Sequence, residues 1–191
     1  MSRARVEREL DELARVAAAT KSLGDQVVGV AARYAAVLKG GGTLYFCGNG
    51  GSAADAQHLA AEYMVRYAKT RRPLAAVALT TDTSILTAAA NDLGYEHVFA
   101  RQVEALCDAS DLLVLHSTSG KSPNLLAAAR AARARGAATV AFLGAGGGPL
   151  ATLVDEAIIV PSDATGRVQI MHLALEHLIV ELVEEALLPT A

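Results

Sequence analysis

The sequence predicts an α/β fold: a three-layer α/β/α sandwich around a central, mostly parallel sheet, with long helices at both ends. Three observations carry that prediction. Short runs of consecutive apolar residues alternate with helical patterns. Strands apolar on both faces belong to parallel sheets covered on both sides. The length, 191 residues, fits one domain spanning 1–191.

The elements follow in order. Residues 3–38 carry Leu10, Leu13, Val16 and Ala17 at three- and four-residue intervals, punctuated only by Gly24 and Gly29. One helical segment is expected there, closed by Gly40-Gly41-Gly42. Strands are expected at Thr43–Cys47, Leu74–Leu79, Leu112–Leu115, Ala138–Leu143 and Ala157–Val160. Between them, helices are expected at Ser52–Arg66, Thr83–Ala90, Glu96–Cys107 and Ser122–Arg135. A last helix runs from Arg167 to Leu187 and is ended by Pro189. In parallel sheets, ligands bind beyond the carboxyl ends of the strands, which directs attention to 48–52, 80–92, 116–122 and 144–149.

Composition narrows the function. Lys and Arg number 17 against 20 Asp and Glu, a net charge of −3, so nothing argues for nucleic-acid binding. Two cysteines exclude a disulfide scaffold, and Cys47 and Cys107 read as small core hydrophobes in a reducing compartment. The N-terminal segment is too charged for a signal peptide. The charge-free stretch Gly136–Val154 is interrupted by Gly144-Ala-Gly-Gly-Gly-Pro149 and does not read as a membrane span. A cytoplasmic protein is expected. Apolar residues make up 52% of the chain, and both terminal helices are apolar around much of their circumference. A helix-mediated, symmetric oligomer is therefore expected, with segment 1–40 packing in it.

Two loops suit a phosphorylated ligand. Cys47-Gly-Asn-Gly-Gly-Ser52 joins a strand to a helix, and its glycines let the backbone approach an anion or a sugar. The loose dinucleotide pattern Gly48-x-Gly50-x-x-Ala53 competes, but the acidic residue it needs appears only at Asp82, about 30 positions on rather than about 20. Ser117-Thr-Ser-Gly-Lys-Ser122 places four hydroxyls over a helix start, with Lys121 adding charge. It is no nucleoside triphosphate loop, because Leu115 stands where the first glycine belongs. Helix capping accounts for Ser119 or Ser122 but not for all four hydroxyls. Asn91-Asp92-Leu-Gly94 reads equally as a helix end.

His58 and Glu62, four apart on a helix, share a face and can serve as metal ligands, as an acid–base pair or as a plain ion pair. The last helix places Gln169, His172, Glu176 and His177 among apolar neighbours. Gln169 and His177 lie about 12 Å apart along a straight helix, too far for one metal. That distance implies an irregularity near Gly166 or sites shared between subunits.

Together, Cys47–Glu62, Ala89–Gly94, Ser117–Ser122 and Arg167–His177 resemble the SIS (sugar isomerase) family, specifically the phosphoheptose isomerases. The resemblance covers nearly the whole chain. It implies isomerisation of sedoheptulose 7-phosphate to D-glycero-D-manno-heptose 7-phosphate through an enediol, the first step towards a nucleotide-activated heptose. It further implies that Asn49, Gly50, Gly51, Ser52, Asn91 and Asp92 contact the sugar, while Ser117, Thr118, Ser119 and Ser122 hold the phosphate. His58, Glu62, Gln169 and His177 match the family's zinc site, with Glu62 and Gln169 also touching substrate, and Glu62 and His177 match its acid–base pair. No nucleotide cofactor is implied. A homotetramer with shared active sites is. Lys121 departs from the family's usual Asn, and Gly166 stands where some members carry Asp. The stretch Leu79–Asp92 also resembles a non-catalytic branch that binds the replication initiator DnaA, and a sugar-phosphate sensor is a further alternative; the initiator-binding branch lacks the pair matched by Glu62 and His177.

Overall fold

The computed structural model describes residues 2–188, so Pro189 lies outside the described residues. Five strands form one sheet: β1 (Leu44–Gly48), β2 (Ala76–Ala78), β3 (Leu112–Ser117), β4 (Ala138–Leu143) and β5 (Glu156–Ile159). Their order is β2-β1-β3-β4-β5, and every pairing is parallel. All residues of β1 and β3 are buried, as double-sided apolar runs require.

Two helical layers cover the sheet. On one face lie α1 (Arg3–Thr20), α2 (Gly24–Lys39), α3 (Gly51–Met64) and α7 (Thr165–Leu187), packed on Leu44, Phe46, Leu112, Val114, Val140 and Phe142. On the other lie α4 (Thr83–Leu93), α5 (Ala100–Leu106) and α6 (Pro123–Arg135), packed on the alternate residues Tyr45, Cys47, Leu113, Leu115, Ala141 and Leu143. This is the expected three-layer sandwich, with long helices at both ends. Among the described residues, no helix is long and apolar enough to cross a membrane.

Three boundaries differ from expectation. The segment over 3–38 is two helices joined by a 3₁₀ turn, Lys21–Leu23. There the Thr20 and Ser22 hydroxyls donate to the carbonyls of Val16 (2.8 Å) and Ala19 (2.9 Å), side-chain bonds that tighten a helical turn. The run Leu74–Leu79 yields only three strand residues. It forms a sheet edge that meets just Leu44–Phe46 of β1, and Val77 points into solvent. The helix expected over Glu96–Cys107 begins as a 3₁₀ turn, Tyr95–His97, and becomes α-helical only from Ala100.

From β1 the chain crosses one way to β2, and from β3 the other way to β4. A crevice therefore opens between the carboxyl ends of β1 and β3, where ligands bind in open parallel sheets. Pairing of Gly48 with His116 brings both candidate loops to that crevice.

Candidate active site

The β1–α3 turn depends on Gly50, which has φ of 56° and caps α3 without a side chain. Gly51 follows, and a Cβ there would collide with the Gln169 side-chain amide, so α7 lies directly against the start of α3. Ser52 is buried beneath the turn. Asn49 exchanges side-chain amide bonds with Asn124 of α6 (3.0 and 2.8 Å) and accepts a third from the Tyr95 hydroxyl (3.1 Å). These bonds tie the turn to the start of α6 and to the segment just after Asn91 and Asp92. Those two residues are exposed at the end of α4, where Asn91 donates to the Asp92 carboxylate (2.7 Å).

The 117–122 loop is braced from behind. Gly120 has φ of 63°, and a Cβ there would strike the Gly147 carbonyl. The Ser117 hydroxyl accepts from the Gly120 N–H (3.0 Å), and that of Ser119 accepts from the Lys121 N–H (3.3 Å). Ser122 occupies the N-cap of α6, yet its side chain makes no capping bond. Among the described residues, the Thr118 and Ser122 hydroxyls have no hydrogen-bond partner, which leaves both free for a ligand at the end of a 13-residue helix.

Further along α3, which starts at this crevice, three donors converge. His58 Nε2 lies 2.9 Å from His177 Nε2 and 3.3 Å from Glu62 Oε1. One ligand atom from each of the three residues lies within 4.8 Å of the others. Tetrahedral zinc with ligands at about 2.05 Å needs donors about 3.3 Å apart, so two imidazole nitrogens and a carboxylate oxygen fit such a group. The His58 side chain is 45% exposed and that of Glu62 20%, so a ligand has access. A carboxylate beside an imidazole can also pass a proton. The cluster forms within one chain, so Glu62 and His177 meet without a second subunit. α7 is continuous from Thr165, with Gly166 in its first turn. Gln169 sits near the start of α3, and His177 meets its second half, so the two are set apart along one seam as the helix rise requires.

His172 and Glu176, grouped with His177 by sequence, face the other way. Both are fully buried. The Glu176 carboxylate accepts from the Tyr34 hydroxyl (3.1 Å) and meets His116 Nε2 at 3.2 Å. His172 Nε2 bonds to the Leu143 carbonyl (3.1 Å), and burial, with His116 nearby, lowers its pKa to about 3. Asp55, buried one turn before His58, has its pKa raised by burial, while His116 and the Gln169 amide pull it back. Cys47 and Cys107 are free and buried, and burial pushes the Cys107 thiol up to about 12.

Sequence reasoning missed Asn124, Tyr95 and Asp55. Only Asn124 gave a local signal, as a polar residue in the first turn of an alanine-rich helix that follows the hydroxyl-rich loop.

The SIS domain family matches residues 10–144. A phosphoheptose isomerase of Roseiflexus sp. (strain RS-1) is 53% identical over 161 residues, covering 84% of this chain and 82% of its own. Phosphoheptose isomerase 1 of Campylobacter jejuni is 46% identical over 181 residues, covering 95% of this chain and 97% of its own. The structure of the phosphoheptose isomerase from Neisseria gonorrhoeae superimposes with a TM-score of 0.91 at 41% identity, over 95% of this chain and 98% of that one. The strand order, the glycine-braced loops and these likenesses agree: the chain belongs to the SIS domain family, among its phosphoheptose isomerases.

Proposed function

We propose that this chain is an aldose–ketose isomerase that converts sedoheptulose 7-phosphate to D-glycero-D-manno-heptose 7-phosphate, in the cytoplasm. The observation that carries the reading is the meeting of Glu62, His58 and His177 on α3 and α7, with α3 starting at the same crevice as the loop with unpartnered hydroxyls. In this reading the 117–122 loop and the start of α6 hold the phosphate. Asn49, fixed by Asn124 and Tyr95, together with Gly50, Gly51, Ser52, Asn91 and Asp92, orients the sugar.

Isomerisation moves a proton between adjacent carbons. One of Glu62 and His177 takes the proton beside the carbonyl, and the other exchanges protons with the oxygens, through an enediol of the substrate. The reverse transfers complete the aldose. His58, Glu62 and His177 would hold zinc, which polarises a carbonyl when bound. Gln169, the fourth ligand the family resemblance supplies, lies two turns back on α7 and would reach that ion only in a site shared between subunits.

Exposed Val6, Leu10, Val28, Ile170 and Leu178 on α1, α2 and α7 support assembly through these helices, in this reading as a homotetramer with shared active sites. Light scattering measures that assembly.

The deciding experiment is turnover of sedoheptulose 7-phosphate in deuterated water, with zinc-replete and chelated protein side by side. Aldose product carrying solvent deuterium at the carbon beside the carbonyl is expected from the replete sample, and much less from the chelated one. Absence of both product and deuterium exchange from replete protein would refute the isomerase reading.

A further inference from the structure

The segment between α3 and β2 is neither helix nor strand from Tyr67 to Ala75, yet it is tightly held. Glu184, two turns beyond His177 on α7, aims a fully buried carboxylate into it. Glu184 Oε1 accepts from the Tyr67 N–H (3.2 Å), and Oε2 accepts from the N–H groups of Ala68 (3.1 Å) and Lys69 (3.0 Å). Arg71 Nε completes the set at 2.9 Å, and the side chains of this ion pair are only 2% and 1% exposed. Successive backbone N–H groups around one anion form a rigid nest, so the loop's shape is dictated by α7. The same guanidinium donates to the carbonyls of Tyr63 (2.8 Å) and Glu62 (2.7 Å). One buried pair thus grips the end of α3, where Glu62 sits, and the loop that follows.

The loop delivers an aromatic ring to the site. The Tyr67 ring lies against the His177 imidazole, with centroids 5.2 Å apart and planes inclined by 21°. His58 approaches the same imidazole edge-on, at 5.1 Å and 63°. His177 is thereby confined between a flat wall and its partner donor. A terminal sp³–sp² torsion such as the His χ2 is broad and two-fold when unrestrained, so a stacked ring selects which edge of the imidazole faces Glu62 and His58.

We propose that Tyr67 is a positioning residue of the isomerase site, a ring that fixes the His177 imidazole and is itself fixed by the Arg71–Glu184 pair. The role rests on the isomerase reading above, but its physical content, the orientation of a donor nitrogen, is measurable without turnover. The ring face meets His177, while the hydroxyl turns to the Glu181 carboxylate outside the donor cluster, so the ring and not the hydroxyl is the working group.

The test compares Tyr67→Leu with Tyr67→Phe for zinc affinity, by competition with a chelating dye, and for kcat and KM on sedoheptulose 7-phosphate. Groups that orient metal ligands are worth about 10- to 100-fold in affinity or rate. Tyr67→Leu is expected to lose about tenfold in zinc affinity and about tenfold in kcat, with KM little changed. Tyr67→Phe should restore both. If a folded Tyr67→Leu protein matches the parent in zinc affinity and kcat, the proposal is overturned. It is equally overturned if Tyr67→Phe is as impaired as Tyr67→Leu, since the hydroxyl would then be the working group. Should Tyr67→Leu not fold, Tyr67→Ser takes its place with the same expectations. A parent protein that binds zinc without turnover defeats the isomerase reading alone, and the affinity comparison still decides the role of Tyr67. A parent that does neither overturns both.

Discussion

Two groups of the same composition, two imidazoles and one carboxylate, lie on opposite sides of α7. The outer group is His58, His177 and Glu62, and the inner one is His116, His172 and Glu176. In the outer group two imidazole nitrogens face each other and a carboxylate, half open to solvent. In the inner group the rings are sealed from solvent, with His116 stacked between Phe46 and Phe142. His172 turns to a backbone carbonyl, and Glu176 bonds to Tyr34 and His116. The same side chains therefore do different work. Where donors converge and water or substrate can reach them, they form a site; where each keeps a partner on one atom only, with His116 Nδ1, His172 Nδ1 and Glu176 Oε2 buried and unpaired, they form a buried brace. Among the described residues, only the outer set converges as a metal site would.

That contrast can be broken in several ways. The largest effect is expected from Glu62→Gln and His177→Gln, each lowering kcat by about 10²- to 10⁴-fold, the usual worth of an acid–base group, with little change in melting temperature. Near-parent turnover in both would erase the distinction. Next, Glu176→Ala should leave the folded protein active but reduce stability by about 3 kcal/mol in urea unfolding, because His116 and Tyr34 lose a buried partner. The joint replacement His116→Leu with Glu176→Leu should recover most of that loss, since apolar pairs of similar volume often replace buried polar ones without cost. Recovered stability with turnover kept would show a brace, and lost turnover in the restabilised protein would show a link to catalysis.

The smallest effect concerns pH. His172 has a folded pKa of about 3, below the unfolded value of about 6.5. The unfolded chain therefore binds the extra proton first. The stability from burying the neutral ring is complete above about pH 6.5 and falls as the pH drops towards about 3. Near pH 5 the loss is about 2 kcal/mol relative to pH 8. His172→Gln should flatten this part of the stability–pH profile. An unchanged slope would mean that the ring is not held neutral.

Much of this arrangement was readable in the amino-acid order. The alternation of apolar runs with helices gave the sheet and its layers, because double-sided burial needs consecutive apolar residues. The hydroxyls of 117–122 and the pair His58 and Glu62 stood out because their spacing is local. What escaped is non-local. Tyr67, Arg71 and Glu184 are joined across more than a hundred residues, and no pattern along the chain couples them. The two faces of α7 were also hidden, since His172, Glu176 and His177 all sit in one apolar stretch and only packing separates them. At β2 a strong strand composition over Leu74–Leu79 lost to the edge position, where pairing on one side holds only three residues.

The seam between α3 and α7 makes the residue count a mechanical gauge. Gly51 meets Gln169 at one point and His58 meets His177 further along. A single residue inserted between Gln169 and His177 would rotate all that follows by about 100°, swinging His177 off Glu62 and carrying Glu184 out of its nest. Descendants of this chain can lengthen or recolour its connecting segments, but the phase between these two contacts is locked.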